Sequence, residues 1–273
     1  MAGSRALWFI VALLCLSCCC VWSAEPWKQP GGAAGDEITG PDGLPMVWVP
    51  AGQFTMGTND ADAEKNEQPA HPVRLSGFWI QKYEVTNQAF RAFCDATGYT
   101  FPPESTQPAD EPVCALSWIH CNDYATHYGL KLPTEAQWEY AGRGPSNLIF
   151  PWGNAMGPDD ICCWWFHRNE NPGRNTFPGG ANPRDKSWCG AYDLAGNIRE
   201  WVNDLWGEDY YSRSPVQDPT GPAGQYTRMH GCVLRGGDWF TSREEDLRLY
   251  RRSSCRLSTW DRLAGFRCAY TPH

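Results

Sequence analysis

LRGGDWFTSREEDLRLYRRSSCRLSTWDRLAGFRCAY (residues 234–270) is the stretch around which the chain is organised. It opens on a strand-like run that breaks at Gly236-Gly237, where a backbone can turn sharply or approach another segment closely. An acidic patch (Glu244, Glu245, Asp246), a basic pair (Arg251, Arg252) and a closing GFRCAY follow. Acidic and basic groups set between aromatic residues point to a lined cleft. Taken alone, the acidic patch reads as a solvated loop opposite the two arginines.

Outward from this stretch, Cys232-Val233-Leu234 reads as the strand that leads into it. Residues 190–206 (GAYDLAGNIREWVNDLW) form a compact Gly/Asn turn followed by an aromatic-acidic run, and residues 144–186 have no regular period. Thr134 and Gln137 have capping-box spacing at the start of a helix. Ser117 caps a second helix, with Cys121, Tyr124, Ala125 and Tyr128 at helical spacing. Thr86 caps a third that ends at Gly98. Residues 71–85 alternate as strand, break, strand, and MVWVPAG then QFTMG reads as two short strands. The polar run 58–68 reads as a solvated loop. Residues 24–45, rich in Gly and Pro, read as a flexible linker. No tandem repeat is present. The expectation is one irregular α+β domain over residues 46–273.

Length and charge narrow the function. A chain of 273 residues buries a sizeable core. A net charge of −8 argues against nucleic acid as a partner. Arg5, an apolar run over residues 7–21 and the small residues before Ala24 read as a signal peptide over residues 1–23, hence an exported, secreted, periplasmic or envelope protein. Lipid attachment at Cys18, Cys19 or Cys20 is the alternative, and the one route to a membrane. Nine cysteines remain after that segment, an odd number that implies disulfides with at least one thiol left over. None has the CxxC spacing of a zinc site.

Seven segments carry a family likeness, in order: MVWVPAGQFTMG, PVRLSGFWIQKYEVTNQAF, LSWIHCNDYATHYGLKLPTEAQWEYAGRG, FPWGN, GAYDLAGNIREW, LRGGDWF and GFRCAY. With them the chain resembles the formylglycine-generating enzyme (sulfatase-modifying factor) family. The resemblance implies a domain low in regular secondary structure and related to the C-type-lectin-like fold. It also implies structural calcium and a groove that receives a substrate peptide.

In that family two cysteines bind copper and use O₂ to oxidise a sulfatase cysteine to formylglycine. The resemblance places them at Thr241 and Asp246, with Asp238 where the family has Ser. A hydroxyl and a carboxylate are hard ligands, poorly matched to Cu(I). Copper is therefore not expected, and no residue is assigned a catalytic role. The family pattern implies calcium at Asn197, Ile198 and Glu200, and a second site at Asp160 and Ile161. The alternative for Asn197 is an Asx turn, with calcium the favoured reading. The family's disulfide implies a displaced Cys121–Cys268 bridge.

These readings favour a peptide- or protein-binding domain, its ligand a sulfatase or other exported protein, with Asp238, Trp239, Thr241, Arg243 and Asp246 lining the groove. One alternative is formylglycine generation through displaced thiols such as Cys232 or Cys255. Another is a non-haem iron oxidase using Asp238, Asp246 and His230. A purely structural envelope module is the last.

Overall fold

The computed structural model describes residues 25–101, 108–156, 176–226, 230–241 and 243–272. The expected signal peptide, the lipidation cysteines and the Asp160/Ile161 pair lie outside these residues. Ten strands and three α-helices are described: β1 Glu37–Thr39, β2 Pro45–Val49, β3 Gly52–Met56, β4 His71–Leu75, β5 Phe78–Gln81, α1 Asn87–Thr97, α2 Trp118–His127, α3 Glu135–Arg143, β6 Arg199–Leu205, β7 Gly231–Arg235, β8 Arg252–Arg256, β9 Ala264–Gly265 and β10 Ala269–Tyr270. They form three sheets with the orders β1-β2-β5-β10, β3-β4 and β8-β7-β6-β9. The β6·β9 pair is parallel and the other pairs are antiparallel.

Alternation along the inner strands explains why they are buried on both sides. Met46 and Trp48 of β2 enter one core cluster, while Val47 and Val49 enter the other. Trp79 opposes Phe78 and Ile80 in β5, and Cys232 and Leu234 oppose Val233 in β7, in the same way. Successive side chains point to opposite faces, so each of these three strands feeds two cores at once, whereas β3 and β4 bury one face and expose the other. Helices α1 and α2 cover the first cluster through Phe90, Phe93 and Tyr124, and α3 covers the second through Ala136, Trp138 and Tyr140.

The helix ends match the sequence signals. The Thr86 side chain accepts from Ala89 N, and Gly98 closes α1 in the left-handed region at φ 74°. Ser117 and His120 box the start of α2, as Thr134 and Gln137 do for α3.

Three expectations are corrected. Residues 25–45 are folded onto the domain: β1 pairs with β2, Trp27 packs against the first core cluster, and Trp79 Nε1 donates to Gln29 O at 2.7 Å. Composition suggested a linker because each contact is made by a residue isolated among Gly and Pro. The polar run 58–68 is docked rather than free. It holds a short 3-10 turn (Lys65–Glu67) with Glu67 buried, and Arg248, Arg251 and Arg252 reach into it. Cys121 and Cys268 are separate buried thiols of one aromatic cluster, not a bridge. Burial pushes both thiols well above their ordinary range.

Candidate functional site

Arg235 anchors the end of β7. Its guanidinium is fully buried and pairs with Glu135 Oε1 at 3.0 Å and Glu139 Oε2 at 2.6 Å. Glu135 and Glu139 lie one turn apart on α3, so they share a face. Arg252 of β8 grips Glu135 with two bonds of 2.6 and 2.9 Å, and Arg143 takes the other oxygen of Glu139 at 2.7 Å. Burial works against ionisation of Glu139, but Arg235 and Arg143 outweigh it and hold the carboxyl below its usual range. This network fixes the direction in which the chain leaves β7.

The glycine pair then makes the turn. Gly236 has φ 77°, and a Cβ on Gly237 would lie 2.5 Å from Leu247 Cδ2 and 2.8 Å from Ala195 O. Only glycine permits that approach without displacing backbone. It brings residues 238–241 beside the start of β6.

There, Asp238 Oδ2 lies 3.0 Å from Arg199 Nε, and Arg199 Nη2 lies 3.3 Å from Asp261 Oδ2. Asp261 is held in place by its own loop, its Oδ1 accepting from Leu263 N at 2.9 Å. The site is thus one guanidinium between two carboxylates, from three segments far apart in sequence. Burial raises the Asp238 carboxyl above the usual range, and Arg199 offsets this only in part. Beside these charges stand two exposed aromatics: Phe240, 53 % exposed, and Trp260, 47 % exposed. Trp260 is braced edge-on by His120 at 4.9 Å between ring centroids.

The expected groove residues fare differently. Asp238 and Trp239 lie in the turn, where Trp239 meets Phe240 edge-on at 5.7 Å. Thr241 closes the turn: its Oγ1 accepts from Asp238 N at 3.0 Å, while Asp238 Oδ1 accepts from Phe240 N at 2.8 Å. Arg243 is exposed and pairs with Glu245. Asp246 pairs with Arg251 at 3.1 Å, and Arg251 continues to Glu64 and Glu67 of the docked run. Arg252, expected to face the acidic patch, is buried on Glu135 instead. Arg199, Asp261 and Trp260 were missed by sequence reading. The signal available for Arg199 was its place inside GNIREW; for Asp261 there was only proximity to an exposed tryptophan.

These contacts decide which of the implied metals the residues fit. For copper, Thr241 and Asp246 supply hard oxygens already committed to a turn and to Arg251, so they do not fit a soft ion. Cys232 and Cys255 face each other across β7 and β8, near the strand end remote from Asp238. Burial raises the Cys232 thiol far above its ordinary range. For iron, His230 precedes β7 and Asp238 follows it, with the strand's length of roughly 17 Å between them. The expected Asp238–Asp246–His230 set is therefore not brought together.

For calcium, Asn197 and Phe177 exchange side-chain amide and backbone bonds of 3.1 Å each way. Glu200 is gripped by Arg267 at 2.7–3.0 Å and receives Trp138 Nε1 at 2.9 Å. Ile198 is buried. The Asn197 and Glu200 side chains are thus engaged within the protein, Asn197 by a segment 20 residues away. Nearby lie two buried acids that the sequence reading did not name. Both oxygens of Glu84 are buried without a hydrogen-bond partner. Burial, with Asp185 next, pushes the Asp193 carboxyl up to about 8.

Comparison with known proteins agrees with this fold. The sulfatase-modifying factor enzyme 1-like domain matches residues 39–272. A formylglycine-generating enzyme of Thermomonospora curvata is 32% identical, over 83% of this chain and 93% of that protein. The inactive C-alpha-formylglycine-generating enzyme 2 of Mus musculus is 29% identical, over 82% of this chain and 85% of the relative. Among solved structures, PvdO from Pseudomonas aeruginosa superposes with a TM-score of 0.74 at 25% identity, covering 88% of this chain and all of that one.

Proposed function

Because the chain belongs to the sulfatase-modifying factor enzyme 1-like family, we propose that it keeps that family's fold as an exported domain that binds a protein or peptide segment without copper-dependent oxidation. One observation carries this reading. At the positions implied for the copper thiolates, the Thr241 hydroxyl closes the Asp238 turn and the Asp246 carboxylate is paired with Arg251. The existence of a relative described as inactive supports such a member.

The ligand surface is the Arg199–Asp238–Asp261 group with Phe240 and Trp260. Exposed aromatics beside a few fixed polar groups are the usual make-up of a recognition hot spot. With one cation between two carboxylates, the group carries a net negative charge when ionised and favours a segment with a basic or amide-rich side chain. A peptide-display selection tests this. Sequences enriched on the wild type and lost on Phe240→Ala and Trp260→Ala support it; equal enrichment on all three overturns it.

A structural calcium ion, where the protein carries one, is placed by this reading beside Glu84 and Asp193 rather than on Glu200. Calcium takes carboxylate and backbone carbonyl oxygens together. The orphaned oxygens of Glu84 are the observation that supports the placement.

A further inference from the structure

Asn203 sits near the opposite end of β6 from Arg199, about 13 Å along the strand. There it borders a cavity of about 320 Å³, whose lining includes Lys131, Gln137, Asp218, Thr220 and Tyr270. We propose that this cavity is a second binding site, for a neutral polyhydroxylated ligand of one or two sugar rings. The inference does not rest on the function proposed for the Asp238 surface.

The charges of the lining decide against an ionic ligand. Lys131 and Asp218 bring one charge of each sign, so the lining has no net charge. The Asp218 carboxylate is already saturated, its Oδ1 accepting from Ser76 N at 2.7 Å and its Oδ2 from Ser76 Oγ at 2.9 Å and Gln217 Nε2 at 2.6 Å. The N-terminus of α3 opens nearby but offers no anion site. Thr134 N donates to Gln137 Oε1, Gln137 N donates to Thr134 Oγ1, and Glu135 N donates to Asp204 Oδ2. Donors satisfied in this way are not free for a phosphate or carboxylate.

An apolar ligand is equally ill-suited, because it would strand the amide and hydroxyl groups of the wall without partners. Besides the exposed Lys131 at the lining, the groups on offer are neutral. The Asn203 amide can donate and accept, as can the Thr220 hydroxyl, and Tyr270 presents a half-buried ring. Paired donors and acceptors beside an aromatic face match vicinal hydroxyls over a C–H surface. Asn203 is held in place, since Tyr226 OH donates to its backbone carbonyl at 2.9 Å and accepts from its Nδ2 at 3.5 Å, while the Tyr226 ring stacks on Trp118 at 4.8 Å; Oδ1 and the second amide hydrogen are left for a ligand. The volume equals about ten waters, the space of a small saccharide.

The test uses the full chain in calorimetric and saturation-transfer titrations with glucose, galactose, mannose, N-acetylglucosamine and cellobiose, and with sulfate and acetate as charged probes. The expected result is binding of at least one saccharide and of neither anion. Asn203→Ala should weaken that binding roughly five-fold or more, and Thr220→Val roughly three- to five-fold, as for the loss of single hydrogen bonds. Thr220 is exposed, so its variant folds even if Asn203→Ala does not. Asp238→Asn, which damages the other surface, should leave saccharide binding as in the wild type. No saccharide binding, tighter binding of sulfate or acetate, or affinities indifferent to both cavity variants would each overturn the proposal.

Discussion

The Thr241 hydroxyl accepts a 3.0 Å hydrogen bond from the backbone N–H of Asp238, closing a four-residue turn that Thr241 N also closes through Asp238 O at 3.0 Å. The side chain at an implied copper position is therefore part of the local backbone structure. Thr241→Val keeps the shape and removes the acceptor, and should cost about 1 kcal/mol of stability in urea unfolding. Thr241→Ser should stay within about 0.5 kcal/mol of wild type. Equal stabilities for the two variants would show that the hydroxyl is not closing the turn.

Arg235 should be among the least replaceable residues. Removing it leaves Glu135 and Glu139 buried with fewer cationic partners, and loss of one member of a buried pair costs about 3–5 kcal/mol. Arg235→Met should accordingly show a large drop in the chemical denaturation midpoint. Arg243→Met, at an exposed pair, should be close to neutral.

Stability should fall as pH rises through the neutral range. Burial pushes the Asp204 carboxyl up to about 8 from an ordinary value of 3.8. Between those values the folded chain keeps a proton that the unfolded chain has lost, so raising the pH favours unfolding, at no more than about 1.4 kcal/mol per pH unit for this group. Asp204→Asn removes the effect while keeping an acceptor for Glu135 N. Its stability relative to wild type should grow between pH 4 and pH 8 and level off above. A difference constant across that range would contradict the assignment.

Calcium should raise the melting temperature, and a chelator should reverse the rise. Binding to the folded state alone stabilises it by mass action. Asp193→Asn should abolish most of the response, whereas Asn197→Asp should preserve it. The opposite ranking would move the ion back to the Asn197 side.

Much of the fold was legible because its signals are local. Thr86, Ser117 and Thr134 cap the helices they precede, and the alternation in residues 46–56 and 71–81 marks real strands. The glycine pair at 236–237 announced a close approach, though not what was approached. The ordered segment 25–45 and strand β6 were missed for different reasons. The segment is mostly exposed and makes its contacts through single residues set among Gly and Pro, whereas β6 is buried along both faces and so shows no polar–apolar period. The site was half legible. Asp238 stood out beside the glycines, while Arg199 and Asp261 are joined to it only by the fold. Glu135, Arg235 and Arg252 look like surface charges in the sequence and are among the most buried groups in the structure.

The central claim is that the Asp238 surface binds without copper-thiolate oxidation. Its most direct test is to incubate the purified protein with a peptide carrying the CxPSR motif, Cu(I) and O₂, and to read the peptide's mass. The account predicts that the peptide's cysteine remains a thiol or an ordinary disulfide, with no aldehyde at any copper concentration. Catalytic appearance of a formylglycine aldehyde would contradict it.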